Sequence, residues 1–183
     1  MSKLLNVSSS PHVRCGVSTK NLMYDVAIAM LPATIWGVMQ FGIYSLIVVV
    51  ATVLSCVLSE YLFETLMHKP VTISDGSALV TGMILGLNMP PAIPLWMPIL
   101  GGVFAIIVVK QLYGGLGQNW MNPALAARCF MLISFAQAMT KFTDPVTDAV
   151  ASATPLAAIK AGDTYDLAAM FIGKIPGTIG EVF

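Results

Sequence analysis

The sequence predicts an all-α polytopic membrane protein, and three observations carry that prediction. The chain of 183 residues is 57% hydrophobic and only 10% charged. Its mean hydropathy is +0.83. Its apolar residues gather into runs close to the ~20 residues that a helix needs to cross the hydrocarbon core of a bilayer. A chain this apolar is not an ordinary soluble domain, and its length leaves room for about five or six spans and no separate soluble domain. The lipid bilayer is its expected surrounding, and no nucleic-acid partner is expected.

In chain order, residues 1–21 carry Lys3, Arg14 and Lys20 around a Ser-Ser-Ser-Pro run and read as a cytoplasmic N-terminal arm, irregular or lying on the surface. Residues 22–183 form the membrane domain. Its first span, 22–40, contains Pro32, whose missing N–H and ring clash kink a helix unless neighbours compensate. The second, 43–63, is rich in Val, Ile and Leu, and the short Phe41-Gly42 connection makes the two antiparallel. Glu60 and Glu64 stand one helical turn apart at its end, a spacing that can suggest a cation site. At the end of a span, the expectation is instead a solvated acidic face.

The third span, 77–91, is short and broken. It holds Gly82 and Gly86 at the spacing that lets helices pack closely, and it ends in Pro90-Pro91. Transporter-like folds place short, interrupted segments of this kind around a polar pathway. The fourth span, 95–112, opens beside Trp96, an indole well placed at a membrane boundary. The fifth, 123–140, follows Asn122-Pro123, a favourable helix start with Pro at the first helical position. It carries Arg128 about one turn inside, where a charge needs a partner, a polar cavity or a route to the interface. An outer loop, 141–165, contains Asp144, Asp148 and Asp163 against Lys141 and Lys160, and 166–183 begin a further segment.

Several chemistries are absent from the pattern. Cys15, Cys56 and Cys129 are far apart, with no metal-ligand spacing, so neither a metal site nor a disulfide framework is expected. Cys56 and Cys129, within or near apolar segments, read as buried thiols. The glycines of Gly114-Gly115-Leu116-Gly117 lack both the GxGxxG spacing and a Walker lysine, which excludes a nucleotide loop. No cleavable signal peptide is expected, because the first twenty residues are polar and lack an apolar core.

The chemistry is expected in the polar stretch from Asp144 to Leu156. Pro155 biases Thr154 away from helix and towards an extended or turn conformation, which presents its hydroxyl on a loop. Asp148-Ala149-Val150-Ala151-Ser152-Ala153-Thr154 resembles the Asp-Gly/Ala-x-Ser-Gly-Ala-Thr motif of a flavoprotein family. That family is formed by the D subunits of RNF electron transport complexes and the B subunits of sodium-translocating NADH:quinone oxidoreductases. Ala151 and Ser152 depart from the motif, standing where Ser and Gly are usual. The Gly114-Gly115-Leu116-Gly117-Gln118-Asn119-Trp120-Met121-Asn122-Pro123-Ala124 run is similar to the family's Gly-Gly-Leu-Gly-x-Asn-x-x-Asn-Pro-Ala signature. Ser10-Pro11-His12-Val13-Arg14, the 75–91 stretch and the Pro-Gly-Thr-x-Gly-Glu run at 176–181 resemble family segments as well.

The resemblance implies a urea-channel-like helical fold, of which this chain is the N-terminal half. It implies FMN joined to Thr154 by a phosphoester, with Ser152, Asn122 and Arg128 as neighbours of the cofactor and a second, noncovalent flavin left open. It also implies an ion-translocating redox complex that moves Na⁺ or H⁺, with other membrane subunits and flavin or iron–sulfur subunits as partners. The alternative is a urea-channel-like transporter or structural membrane subunit without a redox cofactor. Six of the nine basic residues, Lys3, Arg14, Lys20, Lys69, Lys110 and Arg128, fall on one side when the spans are counted from an inner N-terminus. The positive-inside rule then makes this a multi-pass protein of the cytoplasmic membrane with Thr154 on the outer side. A chain spanning only about half of the family's length is expected neither to conduct ions nor to complete electron transfer alone.

Overall fold

The computed structural model describes residues 16–143, 150–151, 160, 173 and 176–181, and these form an all-α fold apart from one tiny two-stranded ladder. Helix α1 (Thr19–Phe41) starts at Ser18, whose hydroxyl oxygen accepts from the Asn21 N–H, and it runs through Pro32 without a break. Gly42, at φ +80°, ends α1 and begins α2 (Ile43–Leu66). Only a residue at ease with positive φ can make so abrupt a reversal. These two helices are long and apolar enough to cross a membrane.

After a 3₁₀ turn, Ile73–Asp75, comes α3 (Ser77–Leu87), only half a membrane thick at ~1.5 Å per residue. It stops before the prolines. Asn88 turns its side-chain N–H back onto the Ile84 carbonyl at 2.8 Å and closes the helix, leaving Pro90 and Pro91 in irregular chain. Helix α4 (Trp96–Gln111) returns antiparallel to it. Its first part, Trp96–Val103, is α-helical and its second, Phe104–Gln111, is a π-helix. A glycine-rich turn with Gly114, Gly115 and Gly117 at positive φ leads to α5 (Pro123–Ser134). That helix breaks at Phe135 and gives one more turn, α6 (Ala136–Met139). Strand β1 (Phe142–Thr143) pairs antiparallel with β2 (Val150–Ala151), Phe142 opposite Ala151.

Helix α2 is the centre of the bundle because α3 lies directly on its backbone. A Cβ added to Gly82 would sit 2.6 Å from Val53 Cα, and one added to Gly86 would sit 3.0 Å from Val49 Cα. Between membrane helices such contact is worth more than apolar burial, since lipid is as apolar as leucine. Helix α5 packs antiparallel on α4, with Phe130 stacked on Phe104 at 4.2 Å and Phe135 edge-on to Trp96 at 5.2 Å. The segment 176–181 closes the open end of α3. Its Ile179 N–H donates to the Met89 carbonyl at 3.1 Å and its Gly180 N–H to the Leu87 carbonyl at 2.8 Å. Leu85, Met89, Ile93, Met131 and Ile179 form the dry core beside it. Ile28, Leu31, Ile35 and Met39 of α1 and Leu54, Leu58 and Leu62 of α2 point outward, as lipid-facing side chains do.

Candidate functional site

The expectation that Glu60 and Glu64 form a solvated face is wrong: they are 0% and 2% exposed. They turn inward onto α4, where Lys110 and Gln111 are equally buried. Lys110 Nζ lies 2.5 Å from Glu60 Oε1 and 2.6 Å from Ser77 Oγ, the first residue of α3. Gln111 Nε2 donates to Glu60 Oε1 at 2.9 Å and to Glu64 Oε1 at 3.2 Å, bridging the two carboxylates. Glu64 also accepts from the Thr72 N–H at 2.9 Å and from the Thr72 hydroxyl. Ser77 in turn donates through its N–H and hydroxyl to Asp75 Oδ1, at 2.8 and 2.6 Å. One polar chain thus runs from Asp75 through Ser77, Lys110, Glu60, Gln111 and Glu64 to Thr72.

The π-helix explains how neighbouring residues of α4 can serve one site. Bonds from i to i+5, such as Leu112 N–H to the Ile107 carbonyl at 3.1 Å, widen the turn. Successive side chains then diverge less than on an α-helix, and Lys110 and Gln111 both reach Glu60. Such segments are frequent at functional sites. The site also holds together energetically. A lysine in an apolar bundle is tolerated only when paired and hydrogen-bonded, and removal of one partner of a buried pair costs about 3–5 kcal/mol.

A second polar contact lies at the far end of α3. Arg128 Nη1 donates to Asn88 Oδ1, and its Nη2 stands 3.9 Å from Glu181 Oε1. Its positive charge sits against the carbonyl end of α3, where the helix dipole favours a cation. Arg128 is therefore tied to the break in α3 instead of lying free at the membrane boundary. Asn122 stands elsewhere, at the start of α5, where its Oδ1 accepts from the Ala124 N–H at 3.0 Å and the Leu125 N–H at 3.5 Å. Six residues of helix, ~9 Å, separate the two along α5. Thr154 and Ser152 lie outside the described residues.

Beside Asn122, an apolar cavity of about 460 Å³ is lined by Phe104, Tyr113, Trp120, Leu125 and Cys129, among others. Cys129 faces this open space and is exposed, contrary to the expectation of a buried thiol, whereas Cys56 is fully buried. The volume falls in the range of small-molecule sites. Asn122 also lines this cavity, and with its Oδ1 engaged in the helix cap its Nδ2 offers two N–H donors there.

The charged cluster was missed because its members are fifty residues apart in sequence. One signal was present. Glu60 and Lys110 each lie inside an apolar run, after Val57-Leu58-Ser59 and Ile106-Ile107-Val108-Val109 respectively, and opposite charges in two such runs imply a pair.

The half-length helix, the backbone-close glycine contacts and the buried ion pair define an all-α membrane protein with a polar site inside its bundle. Over residues 6–183 the sequence matches the model of the NQR2, RnfD, RnfE family, and the chain belongs to that family. Among its relatives is the D subunit of the Na⁺-translocating ferredoxin:NAD⁺ oxidoreductase complex of Acetobacterium woodii. It is 46% identical over 97% of this chain and 58% of the relative. The D subunit of the proton-translocating ferredoxin:NAD⁺ oxidoreductase complex of Clostridium ljungdahlii is 40% identical over the same shares, 97% and 58%. The D subunit of the ion-translocating oxidoreductase complex of Shewanella denitrificans is 40% identical over 85% of this chain and 45% of the relative. The chain thus spans little more than half the length of the first two.

Proposed function

We propose that this chain acts as a flavin-carrying membrane subunit of an RNF-type ferredoxin:NAD oxidoreductase that translocates ions. The family match over residues 6–183 carries this reading, joined by the motif resemblance that ends at Thr154. In it, the chain works with other membrane subunits and with flavin and iron–sulfur subunits, and its helices follow a urea-channel-like plan. The names of the Acetobacterium and Clostridium relatives give different ions, Na⁺ and H⁺, so kinship supports ion translocation without choosing the ion.

Thr154 would hold FMN through a phosphoester on its side-chain oxygen. FMN supplies one- and two-electron transfer when bound, and the tether leaves the ring system unmodified. Around such a group this chain would do the holding. Pro155, by disfavouring helix at the residue before it, would present the Thr154 hydroxyl on a loop, and Ser152 stands two residues away in sequence. Arg128 is already engaged by Asn88 and Glu181, which suits it to fixing the end of α3 more than to binding a flavin phosphate. Asn122 fits a cofactor role better, through its Nδ2 at the mouth of the aromatic-lined cavity. A second, noncovalent flavin would place its flat ring there.

Orientation follows from charge: the N-terminus, Lys69 and the Lys110 end of α4 would lie on the cytoplasmic side and the Thr154 loop on the outer side of the cytoplasmic membrane. The test is flavin fluorescence of the denatured chain in a gel. The wild-type band should fluoresce and the Thr154→Ala band should be dark; equal fluorescence from both rules out the attachment site.

A further inference from the structure

The cluster at the Lys110 end of α4 has an imbalance of charge and an oxygen without a partner. Glu60 Oε2 is the buried side-chain polar atom left without a hydrogen bond among the described residues, on a side chain that is 0% exposed. Two carboxylates stand against one ammonium: Lys110 contacts Glu60, Gln111 joins Glu60 to Glu64, and all of them are buried. Fully ionised, the set would keep an uncompensated negative charge inside an apolar bundle, which is strongly unfavourable.

Among the described residues, no neighbouring group corrects the imbalance. Asp75, a further acid half-buried at the N-terminal end of α3, accepts from the Ser77 N–H and hydroxyl and adds no positive charge. Cys56, on the same helix as Glu60, contacts the Gly102 carbonyl at 3.9 Å and brings no positive charge. Ser77 and Gln111 are neutral, and His68 and Lys69 are exposed. A hard metal cation needs several oxygens around it. Glu60 Oε2 stands alone, whereas a proton needs only one oxygen.

We propose that the Glu60–Glu64 pair is a buried proton-binding site in which the two carboxyls share one proton, taken up at the unpartnered Glu60 Oε2, so that the pair keeps the single negative charge that Lys110 balances. Glu64 has its oxygens engaged, accepting the N–H and hydroxyl of Thr72 and one N–H of Gln111. Glu60 is built for the proton, since Lys110 and Gln111 both donate to Oε1 and leave Oε2 free to carry hydrogen. The proton comes from water: a carboxylate and a hydron give a carboxylic acid, and no electrons move. Thr72 is exposed, so the Glu64–Thr72 contact links the site to the surface at this end of the bundle. Because the two acids are coupled through Gln111, the proton belongs to the pair. This inference is independent of whether the chain carries flavin.

Charge balance fixes the outcome for each variant. The purified full chain in lipid nanodiscs at neutral pH is examined by infrared spectroscopy for the carbonyl stretch of protonated carboxyl groups, assigned by its shift in D₂O. Glu60→Gln should remove one protonated carboxyl per chain. Glu64→Gln should also remove one, because Glu60 must then ionise to balance Lys110. Lys110→Met should add one, and if that variant does not fold the two glutamate variants still decide. Thermal unfolding verifies that each variant is folded. A signal unchanged in both glutamate variants overturns the proposal. So does a wild-type chain that lacks the signal and shows a Na⁺-dependent carboxylate shift, which would assign the balance to an alkali cation.

Discussion

Lys110 Nζ lies 2.5 Å from Glu60 Oε1, across fifty residues of sequence, and the same ammonium lies 2.6 Å from Ser77 Oγ. One side chain therefore ties together α2, α3 and α4 at the end of the bundle where the glycine contacts of α3 have already given out. Lys110→Met should destabilise the chain by about 3–5 kcal/mol, the cost of taking the cation out of a buried charged cluster. Lys141→Met, at an exposed position, should stay within ~0.5 kcal/mol. Unfolding curves of both variants in the same detergent give the comparison, and equal midpoints would contradict it.

Gly82 sets the distance between α2 and α3. Its missing Cβ would meet Val53 Cα at 2.6 Å, a backbone atom that cannot rotate away. Gly82→Ala should therefore cost about 1–3 kcal/mol through overpacking. Gly16→Ala, with nothing within 4 Å of the added carbon, should be close to neutral. Thermal midpoints of the two variants check the difference.

Asn122 caps α5 with its side-chain oxygen. Asn122→Ala should cost ~0.5–2 kcal/mol, while Asn122→Asp, which keeps the acceptor, should recover most of the loss. If Asn122 also donates to a ligand in the adjoining cavity, both variants should lose that ligand, because neither keeps the amide N–H. Stability and the content of extractable flavin, measured on the same preparations, separate the two roles.

The fold class was legible because a membrane helix must satisfy its own backbone and show an apolar exterior, and both demands act on local sequence. Glycine spacing at Gly82 and Gly86 was legible for the same reason, since it lies on one face of one helix. The end of α3 at Leu87 was not, because Asn88 closes the helix ahead of the prolines that mark its limit in the sequence. Nor was the partner of Arg128, which is that same Asn88, forty residues earlier. The burial of Glu60 and Glu64 depends on a π-helical turn of α4, and hydrophobic periodicity carries no mark of that turn.

Orientation can be tested by labelling. In a chain whose Cys15, Cys56 and Cys129 are replaced by alanine, Ser152→Cys should react with a membrane-impermeant thiol reagent added outside intact cells, whereas Lys69→Cys should react only after the membrane is opened. The reverse pattern would invert the membrane topology.

The intact mass of the purified chain decides whether flavin is covalently attached. The wild-type chain should be heavier than its sequence by one FMN less one water, the water lost when a phosphoester forms, and Thr154→Ala should return to the mass of the sequence alone. A wild-type chain produced in cells that flavinylate their own membrane flavoproteins, yet found at its unmodified mass, would contradict the account.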